Sequence, residues 1–297
     1  LRYYYHENVY RPSAESHTFQ EISQMGLEML GAVGEAQVQQ AVRLAAQSLA
    51  QLGAAWVLEV SHMGYLFGLF DALGVPENAR PGLLEKLREK NAHELRRAAQ
   101  AAGLDAAGAD TLTGLLELSG SCEETLAKAE SACRNDRMRA AAAELRALAK
   151  TLEASGGAVR LDLSLAGEME YYNGLVFQGY LQGLPRPLLK GGRYDLLMQK
   201  FTPGAGAIGF AVYLDELDRL SAPTPPVQRN STGRVMLNVA LPKGRLGDRM
   251  YDLLARIGYG CTEDYNATRK LVVENPAAGI RYFLVKPSDV AIYVCLL

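Results

Sequence analysis

A long helix-forming segment lies between two strand-forming segments, and this arrangement most limits the folds that the chain can adopt. Between about residues 66 and 155, Ala, Leu, Glu, Lys and Arg dominate, and glycine or proline recurs at the expected helix junctions. On both sides, aromatic and β-branched residues alternate with polar ones, as in half-buried strands. We therefore predict an α+β fold in which four or five helices are inserted into an antiparallel sheet with flanking helices.

The strand-forming segments divide into separate elements. In one strand, at 55–61, the alternation predicts that Trp56, Leu58 and Val60 share one face. The other predicted elements are strands at 1–10, 19–30, 159–163 and 171–180, a helix over 34–53, and a segment at 207–220 that begins extended and becomes helical.

A proline-rich segment separates this first region from a second pattern. Residues 221–234 contain three prolines and almost no large apolar side chain, which is typical of a linker. After it, a strand, a basic turn, a helix and two further strands alternate, which predicts an α/β domain of about 63 residues, short for that class. The predicted parts are a domain at 1–220, a linker at 221–234 and a partial α/β domain at 235–297.

Composition excludes several classes of protein. Hydrophobic residues make up 48% of the chain, which is typical of a folded protein. The 31 Lys and Arg residues balance 33 Asp and Glu residues, so the chain is not a globally basic nucleic-acid binder. We expect no membrane helix and no signal peptide, because the sequence lacks the apolar runs that both require. The four cysteines form no CxxC motif and indicate reduced thiols in a cytoplasmic protein.

Two polar residues on one predicted strand are candidates for a binding site. Gln24 and Glu28 are four residues apart, so both side chains point to the same face. An amide and a carboxylate there can hold an ammonium or imidazole group, although polar residues on a solvated sheet face explain the spacing equally well. Arg11 follows the first aromatic strand, and polar–aromatic clusters at 170–174 and 191–195 are typical of small-ligand pockets.

Other motifs carry weaker signals. The letters of the dinucleotide fingerprint occur at 204–209, but their context favours a glycine-rich approach to a buried strand. Asp215, Glu216 and Asp218 are expected to form a solvated helix start, in preference to a metal site. The four histidines show no metal-ligand spacing, and we predict no metal site.

In their order along the chain, five motifs together resemble the catalytic domain of histidyl-tRNA synthetase, a class II synthetase. The resemblance covers about residues 1–220 and implies a class II synthetase-like sheet that carries a helical insertion. It also implies a histidine site formed by Arg11, Gln24, Glu28, Tyr171 and Tyr172. The motifs are YYYHENVYRP, QMGLE, EMEYYNGLVFQGY, GGRYD (similar to a loop in that family) and GAIGFAVYLDEL.

Three positions depart from the pattern of a working synthetase. Ser13 stands where an acidic residue contacts the adenine, Gly167 where an arginine activates the carboxylate, and Glu216 where an arginine holds the γ-phosphate of ATP. Adenylation needs cations to stabilise negative charge in its transition state. The departures therefore imply a domain that binds histidine, contains no catalytic residue and forms no adenylate.

A synthetase-like domain with these departures resembles the regulatory subunits of ATP phosphoribosyltransferase, an enzyme of histidine biosynthesis. Residues 237–259, 268–274 and 279–294 are similar to the N-terminus of its short-form catalytic subunit. By that resemblance Lys243, Arg245 and Arg269 are substrate-side cations. It also implies catalytic subunits as partners, homo- and hetero-oligomers, histidine as effector and no tRNA. Mg²⁺ is expected only in the complete catalytic complex, and this chain needs no cofactor of its own.

Two other functions remain as alternatives. The chain can be an active histidyl-tRNA synthetase-like ligase whose missing cations come from elsewhere. It can also be a scaffold that holds catalytic subunits and binds no ligand. Histidine binding and ATP-dependent adenylation, measured separately, distinguish the three hypotheses.

Overall fold

A computed structural model describes most of the chain, and it divides into two compact units. The described residues are 1–12, 19–152, 158–167, 171–221, 236–261 and 270–290. The first unit comprises Leu1–Tyr180 and Leu188–Asp215, and the second comprises Leu181–Pro187 and the described residues from Glu216 onwards. The division after Asp215 lies close to the predicted boundary at 220, but 181–187 groups with the second unit. The predicted linker lies outside the described residues apart from Ser221.

The first unit is built on an eight-stranded sheet, and the predicted α+β architecture is confirmed. Along the sheet the strand order is β1-β2-β8-β7-β6-β3-β5-β4. The pairs β1–β2, β2–β8, β8–β7 and β7–β6 are antiparallel. Strands β3 and β5 pair in parallel, so the sheet is mixed. The strands are β1 (Arg2–Pro12), β2 (Phe19–Gly31), β3 (Trp56–His62), β4 (Ser119–Ser121), β5 (Ala158–Asp162), β6 (Leu175–Leu181), β7 (Leu189–Arg193) and β8 (Gly206–Tyr213).

The helical insertion contains more helices than the sequence predicts. Within residues 63–152 the structure has six α-helices and the short strand β4, where four or five helices were expected. The Ser-Gly-Ser sequence of β4 has no strand propensity, and the segment becomes a strand because it pairs with β5. The α-helices of the described first unit and of the segment that follows it are α1 (Glu35–Ala50), α2 (Met63–Ala72), α3 (Arg80–Arg88), α4 (Ala92–Ala101), α5 (Ala106–Gly114), α6 (Cys122–Ser131), α7 (Asp136–Leu152), α8 (Asp195–Gln199) and α9 (Leu214–Ser221).

Strand β3 places Trp56, Leu58 and Val60 on one face, as predicted, but it is buried along its whole length and not on that face alone. All seven residues are buried, including Glu59, Ser61 and His62. The reason is position: β3 lies between β6 and β5 inside the sheet, and both α1 and α7 pack against it. Alternation of apolar and polar residues is typical of a strand with one solvated face. A central strand that helices cover has no solvated face.

Buried polar contacts join the insertion to the sheet. The Lys90 ammonium lies 2.5 Å from the Asp162 carboxylate, which also accepts hydrogen bonds from the amide (2.9 Å) and hydroxyl (2.6 Å) of Ser164. The Nδ1 atom of His62 accepts a hydrogen bond from the Gly64 amide, which leaves Nε2 to donate to Glu144 at 3.1 Å. Because a buried charge without partners is costly, these contacts stabilise the packing of the helices on the sheet.

The second unit follows the predicted strand–turn–helix–strand order. Strand β9 (Leu237–Pro242) is followed by α10 (Arg245–Leu254), and a π-helical turn continues to Tyr259. Gly244 begins the helix at a φ of 102°, where other residues are strained. Strands β10 (Val272–Asn275) and β11 (Ile280–Val285) complete a sheet of order β10-β11-β9, in which β9 and β11 are parallel. In the described parts of the chain, no helix is both long enough and apolar enough to cross a membrane.

The Lys90–Asp162 contact leads to a stability prediction. The Asp162 side chain is 1% exposed, so Lys90→Met leaves a buried carboxylate without its cation. We expect the free energy of unfolding to fall by about 3 kcal/mol. The matched control is Arg97→Met, whose exposed ion pair with Glu94 should contribute less than about 0.5 kcal/mol. Urea unfolding of both variants measures the difference, and equal losses would contradict the prediction.

Candidate functional site

One cavity of about 290 Å³ in the first unit contains every residue of the predicted histidine site. Its volume is close to the lower end of the range for small-ligand pockets. The predicted residues that line it are Arg11, Gln24, Glu28, Tyr171 and Tyr172. Polar residues that sequence reasoning left out of the site also line it, namely Tyr5, Gln178, Lys190, Tyr194 and Tyr213.

The strand register explains why Gln24 and Glu28 meet in this cavity. Gln24 pairs with Tyr213 of β8, and Glu28 pairs with Gly209 of the same strand. A Cβ atom at position 209 would overlap the Glu28 carboxylate, so only glycine leaves room for it. The predicted common face of Gln24 and Glu28 is confirmed. That these residues bind a ligand stays a prediction.

Glu28 is a half-buried carboxylate held by a tyrosine. The Tyr194 hydroxyl donates a hydrogen bond to Glu28 Oε2. Burial raises the pKa of Glu28 above its usual range, and the Tyr194 hydrogen bond opposes this rise. Burial also raises the pKa of Tyr194, which therefore stays protonated and remains a donor at neutral pH.

Three tyrosine rings form one wall of the cavity. Tyr171 packs on Tyr172 with ring centroids 4.9 Å apart, and Tyr194 meets these rings edge-on at 5.7 Å and 6.4 Å. A Cβ atom at Gly192 would lie 2.6 Å from the Tyr172 ring, so this glycine leaves room for the ring. The wall presents aromatic faces and edges, which favour contact with a flat or cationic group.

Gln24 has an acceptor atom without a protein partner. Its side chain is 5% exposed, and Nε2 donates a hydrogen bond of 3.0 Å to the Tyr5 hydroxyl. Burial, followed by the nearby Glu28 carboxylate, raises the pKa of Tyr5 to about 12. The Oε1 atom of Gln24 is buried and accepts no hydrogen bond from the described part of the protein. Such an atom is costly by itself, so a ligand N–H group would be favoured there.

Two cations share the cavity with Glu28. Arg11 lines the cavity together with Tyr5 and Tyr171, and its positive charge lowers the pKa of both hydroxyls against the effect of burial. Lys190 lies on β7, where its register neighbours are Gln178 and Ala211. A cavity with a carboxylate, a free amide oxygen, two cations and an aromatic wall can bind a small zwitterion that carries a flat ring.

The structure corrects two predictions about nearby segments. The Gly-Gly-Arg-Tyr-Asp motif, expected as a loop, ends strand β7 and begins α8, and Asp195 accepts a hydrogen bond of 2.9 Å from the Ala207 amide. The solvated helix start is wrong for Glu216, which is 8% exposed and lies 3.9 Å from Arg186. Asp215 accepts a hydrogen bond from the Ser23 amide, whereas Asp218 is exposed as predicted.

The remaining sequence candidates lie elsewhere. Lys243 and Arg245 are exposed at the start of α10 in the second unit, and Arg269 lies outside the described residues. The glycine-rich segment at 204–209 leads into the buried strand β8, as predicted. Across the ranges that the structure describes, no group of three or more His, Cys, Asp or Glu side chains is arranged to hold a metal ion.

Position 167 has a structural reason to be glycine. A Cβ atom there would lie 2.7 Å from Cδ2 of the Tyr172 ring. Any side chain at this position must displace the ring from the cavity wall. The cation that the synthetase pattern has at this position therefore does not fit beside Tyr172.

The mixed sheet with its helical insertion defines a class II synthetase-like α+β domain, and sequence comparison gives the family. A histidyl-tRNA synthetase family model matches residues 1–217, and the chain belongs to this family. It is similar to the ATP phosphoribosyltransferase regulatory subunit of Desulfitobacterium hafniense, with 34% identity over 217 residues. Its identity to the Shouchella clausii protein of the same name is 36% over 223 residues.

The matches cover only part of the relatives. They include 72% and 73% of this chain and 56% of each relative, so the chain spans little more than half of their length. Among solved structures, it is similar to an ATP phosphoribosyltransferase regulatory subunit/histidyl-tRNA synthetase from Bacillus halodurans. The TM-score is 0.66 at 27% identity, over 96% of this chain and 73% of that one.

A more distant structure supports the fold alone. The ATP phosphoribosyl transferase (HisG:HisZ) complex from Thermotoga maritima matches with a TM-score of 0.58 at 19% identity. The match covers 72% of this chain and 73% of that one.

The burial of Glu28 gives a prediction about stability and pH. The pKa of Glu28 is higher in the folded than in the unfolded state, so the protonated carboxyl stabilises the folded state. This contribution to the free energy of unfolding is complete at a pH below the unfolded-state pKa. That contribution is lost as the pH rises through the folded pKa. Without ligand, Glu28→Gln should therefore raise the free energy of unfolding at pH 7, with a smaller gain at pH 4.

The control for this prediction is Glu21→Gln. Glu21 is exposed and lies an odd number of residues away on β2, so it faces the opposite side of the sheet. We expect it to change stability by less than about 0.5 kcal/mol at both pH values. Urea unfolding curves measure both variants, and a Glu28→Gln protein less stable than the wild type at pH 7 would contradict the prediction.

Proposed function

We propose that this chain carries the histidine-binding part of an ATP phosphoribosyltransferase regulatory subunit and that it forms no adenylate. The observation that carries this proposal is the buried Gln24 Oε1 atom, which lacks a protein donor and lines the same cavity as Glu28. A ligand with both an N–H donor and a cationic nitrogen satisfies both groups at once.

Free histidine matches the chemistry of the cavity. Its ammonium and imidazole N–H groups suit the Glu28 carboxylate and the Gln24 amide oxygen. Its carboxylate suits the guanidinium of Arg11, and its ring suits the faces of Tyr171 and Tyr172. The relatives named as regulatory subunits support histidine biosynthesis as the setting.

The absence of adenylation follows from charge. Amino-acid activation builds up negative charge on the phosphates, and enzymes stabilise it with cations. By the family resemblance, two positions that supply such cations are Gly167 and Glu216 here. Tyr172 takes up the space beside Gly167, and Glu216 is a largely buried carboxylate next to Arg186.

The wider assembly is part of the proposal. Catalytic subunits of ATP phosphoribosyltransferase are the proposed partners in a hetero-oligomer, and histidine is the effector that couples the cavity to their activity. The second unit is proposed to correspond to a catalytic N-terminus, in which Lys243, Arg245 and Arg269 face substrate. Histidine binding itself requires no cofactor, and the cytoplasmic location remains an expectation from the cysteine pattern.

Calorimetry with histidine tests the binding step. Gln24→Met removes the amide but keeps the length of the side chain, and we expect histidine to bind roughly 10- to 100-fold more weakly, as for a lost buried hydrogen bond. Gln47→Met makes the same change at an exposed position of α1 and should leave the affinity unchanged. Circular dichroism of each variant checks the fold.

Two outcomes would overturn the proposal in different ways. Histidine-dependent exchange of pyrophosphate into ATP by the wild-type chain would identify an active ligase. The absence of any binding heat with histidine in the wild type would favour the alternative that the chain is a scaffold and binds no ligand. Histidine binding without exchange is the result that the proposal requires.

A further inference from the structure

The helical insertion contains a cavity of its own, which shares no described lining residue with the cavity around Glu28. Its volume of about 350 Å³ lies within the range of small-ligand pockets. The cavity lies between α2, the end of α5 with the turn that follows it, and the connection from α6 to α7. Its large apolar lining residues are Tyr65, Leu69, Leu115, Leu118 and Met138.

The interior of this cavity is apolar. Four of these side chains, those of Tyr65, Leu69, Leu115 and Met138, are buried in the insertion. The Tyr65 hydroxyl donates a hydrogen bond of 2.8 Å to the Ala129 carbonyl, so its polar atom is satisfied inside the protein. Because apolar surfaces associate in water, such an interior suits the hydrocarbon chain of a ligand.

Gly114 keeps the cavity open. It lines the cavity at the end of α5, and its φ of -58° and ψ of -20° are helical, so the backbone there does not require glycine. A Cβ atom at this position would meet no atom within 4 Å. Glycine is unfavourable in a helix, and a larger side chain would fit this backbone and occupy the open space.

One guanidinium stands at the rim of the cavity. The Arg134 side chain is exposed and donates a hydrogen bond of 3.1 Å to the Thr111 hydroxyl, and both residues line the cavity. Within residues 19–152, which the structure describes without a gap, Arg134 forms no ion pair with a carboxylate. The three arginines of α7 each form one, namely Arg137–Asp71, Arg139–Asp136 and Arg146–Glu130.

The chemistry of this rim favours an anionic group. A guanidinium has five N–H donors, and the contact with Thr111 uses one of the donors of Arg134. A carboxylate accepts two parallel hydrogen bonds from such a group. The hydroxyl of Thr111 holds the guanidinium beside the apolar interior, so one molecule can reach both.

We propose that this cavity binds a medium-chain aliphatic carboxylate, with the tail in the apolar interior and the carboxylate on Arg134. The apolar lining, the open space beside Gly114 and the guanidinium without an acidic partner together define this ligand class. The site is separate from the proposed histidine site and does not depend on it.

Two ligands that differ only in their head group test the role of Arg134. Calorimetry with the full chain measures octanoate and octan-1-ol, and we expect octanoate to bind more tightly. Arg134→Met should weaken octanoate binding roughly 10-fold and leave octan-1-ol binding unchanged. The control Arg97→Met removes an exposed arginine outside the cavity and should change neither affinity.

Filling the cavity tests the position of the tail. Gly114→Leu places a side chain in the open space, so it should weaken binding of both ligands at least about 10-fold without lowering the urea midpoint of unfolding. Gly82→Leu makes the same change in helix α3, outside the cavity, where a Cβ atom also meets no atom within 4 Å. This control should leave both affinities unchanged.

The two cysteines of the insertion report where the ligand binds. Both are half-buried, but Cys133 lines the cavity and Cys122 does not. Octanoate should therefore slow the alkylation of Cys133 by iodoacetamide and leave that of Cys122 unchanged. Peptide mass spectrometry measures both rates in one sample.

Three results would overturn this inference. One is a wild-type chain that gives neither binding heat with octanoate nor protection of Cys133. Another is a Gly114→Leu protein that binds octanoate as well as the wild type, because the ligand then lies elsewhere. The third is an octanoate affinity that Arg134→Met does not change, or that octan-1-ol equals, because the carboxylate is then not recognised.

Discussion

The side chain of Glu28 lies over Gly209 of the neighbouring strand, and the rest of the cavity depends on this contact. A side chain at position 209 would overlap the carboxylate, and Glu28 would have to leave the sheet face. Tyr194 donates to that carboxylate and packs against Tyr171 and Tyr172. The strand pairing, the half-buried carboxylate of Glu28 and the aromatic wall are therefore parts of one arrangement.

This arrangement contains polar groups whose burial lowers the stability of the protein. Burial disfavours the ionised form of Glu28, and Gln24 retains an acceptor atom that the described protein does not satisfy. Groups of this kind reduce the stability of the ligand-free protein and strengthen the interaction with a matching ligand. The contacts of Lys90 and His62, by contrast, satisfy buried groups inside the protein and hold the helical insertion on the sheet.

Much of the site could be predicted because side chains along a strand alternate between its two faces, with a period of two residues. This period places Gln24 and Glu28 on one face, and the family resemblance adds Arg11, Tyr171 and Tyr172; the structure brings all five to one cavity. Tyr5 and Lys190 were missed, although Tyr5 has the same parity on its strand as Arg11. Strand β4 was also missed, because pairing with β5 and not its own sequence makes it a strand.

The sequence by itself determined the elements whose pattern repeats within a few residues: the strands of the first unit other than β4 and β7, the amphipathic helices, and the strand–turn–helix order after residue 235. Only the tertiary structure decided which residues meet across the sheet. Glu28 pairs with Gly209, and Tyr172 packs over Gly192, because five strands align in one register. Local periodicity carries no information about such pairings, since they depend on the packing of segments far apart in the chain.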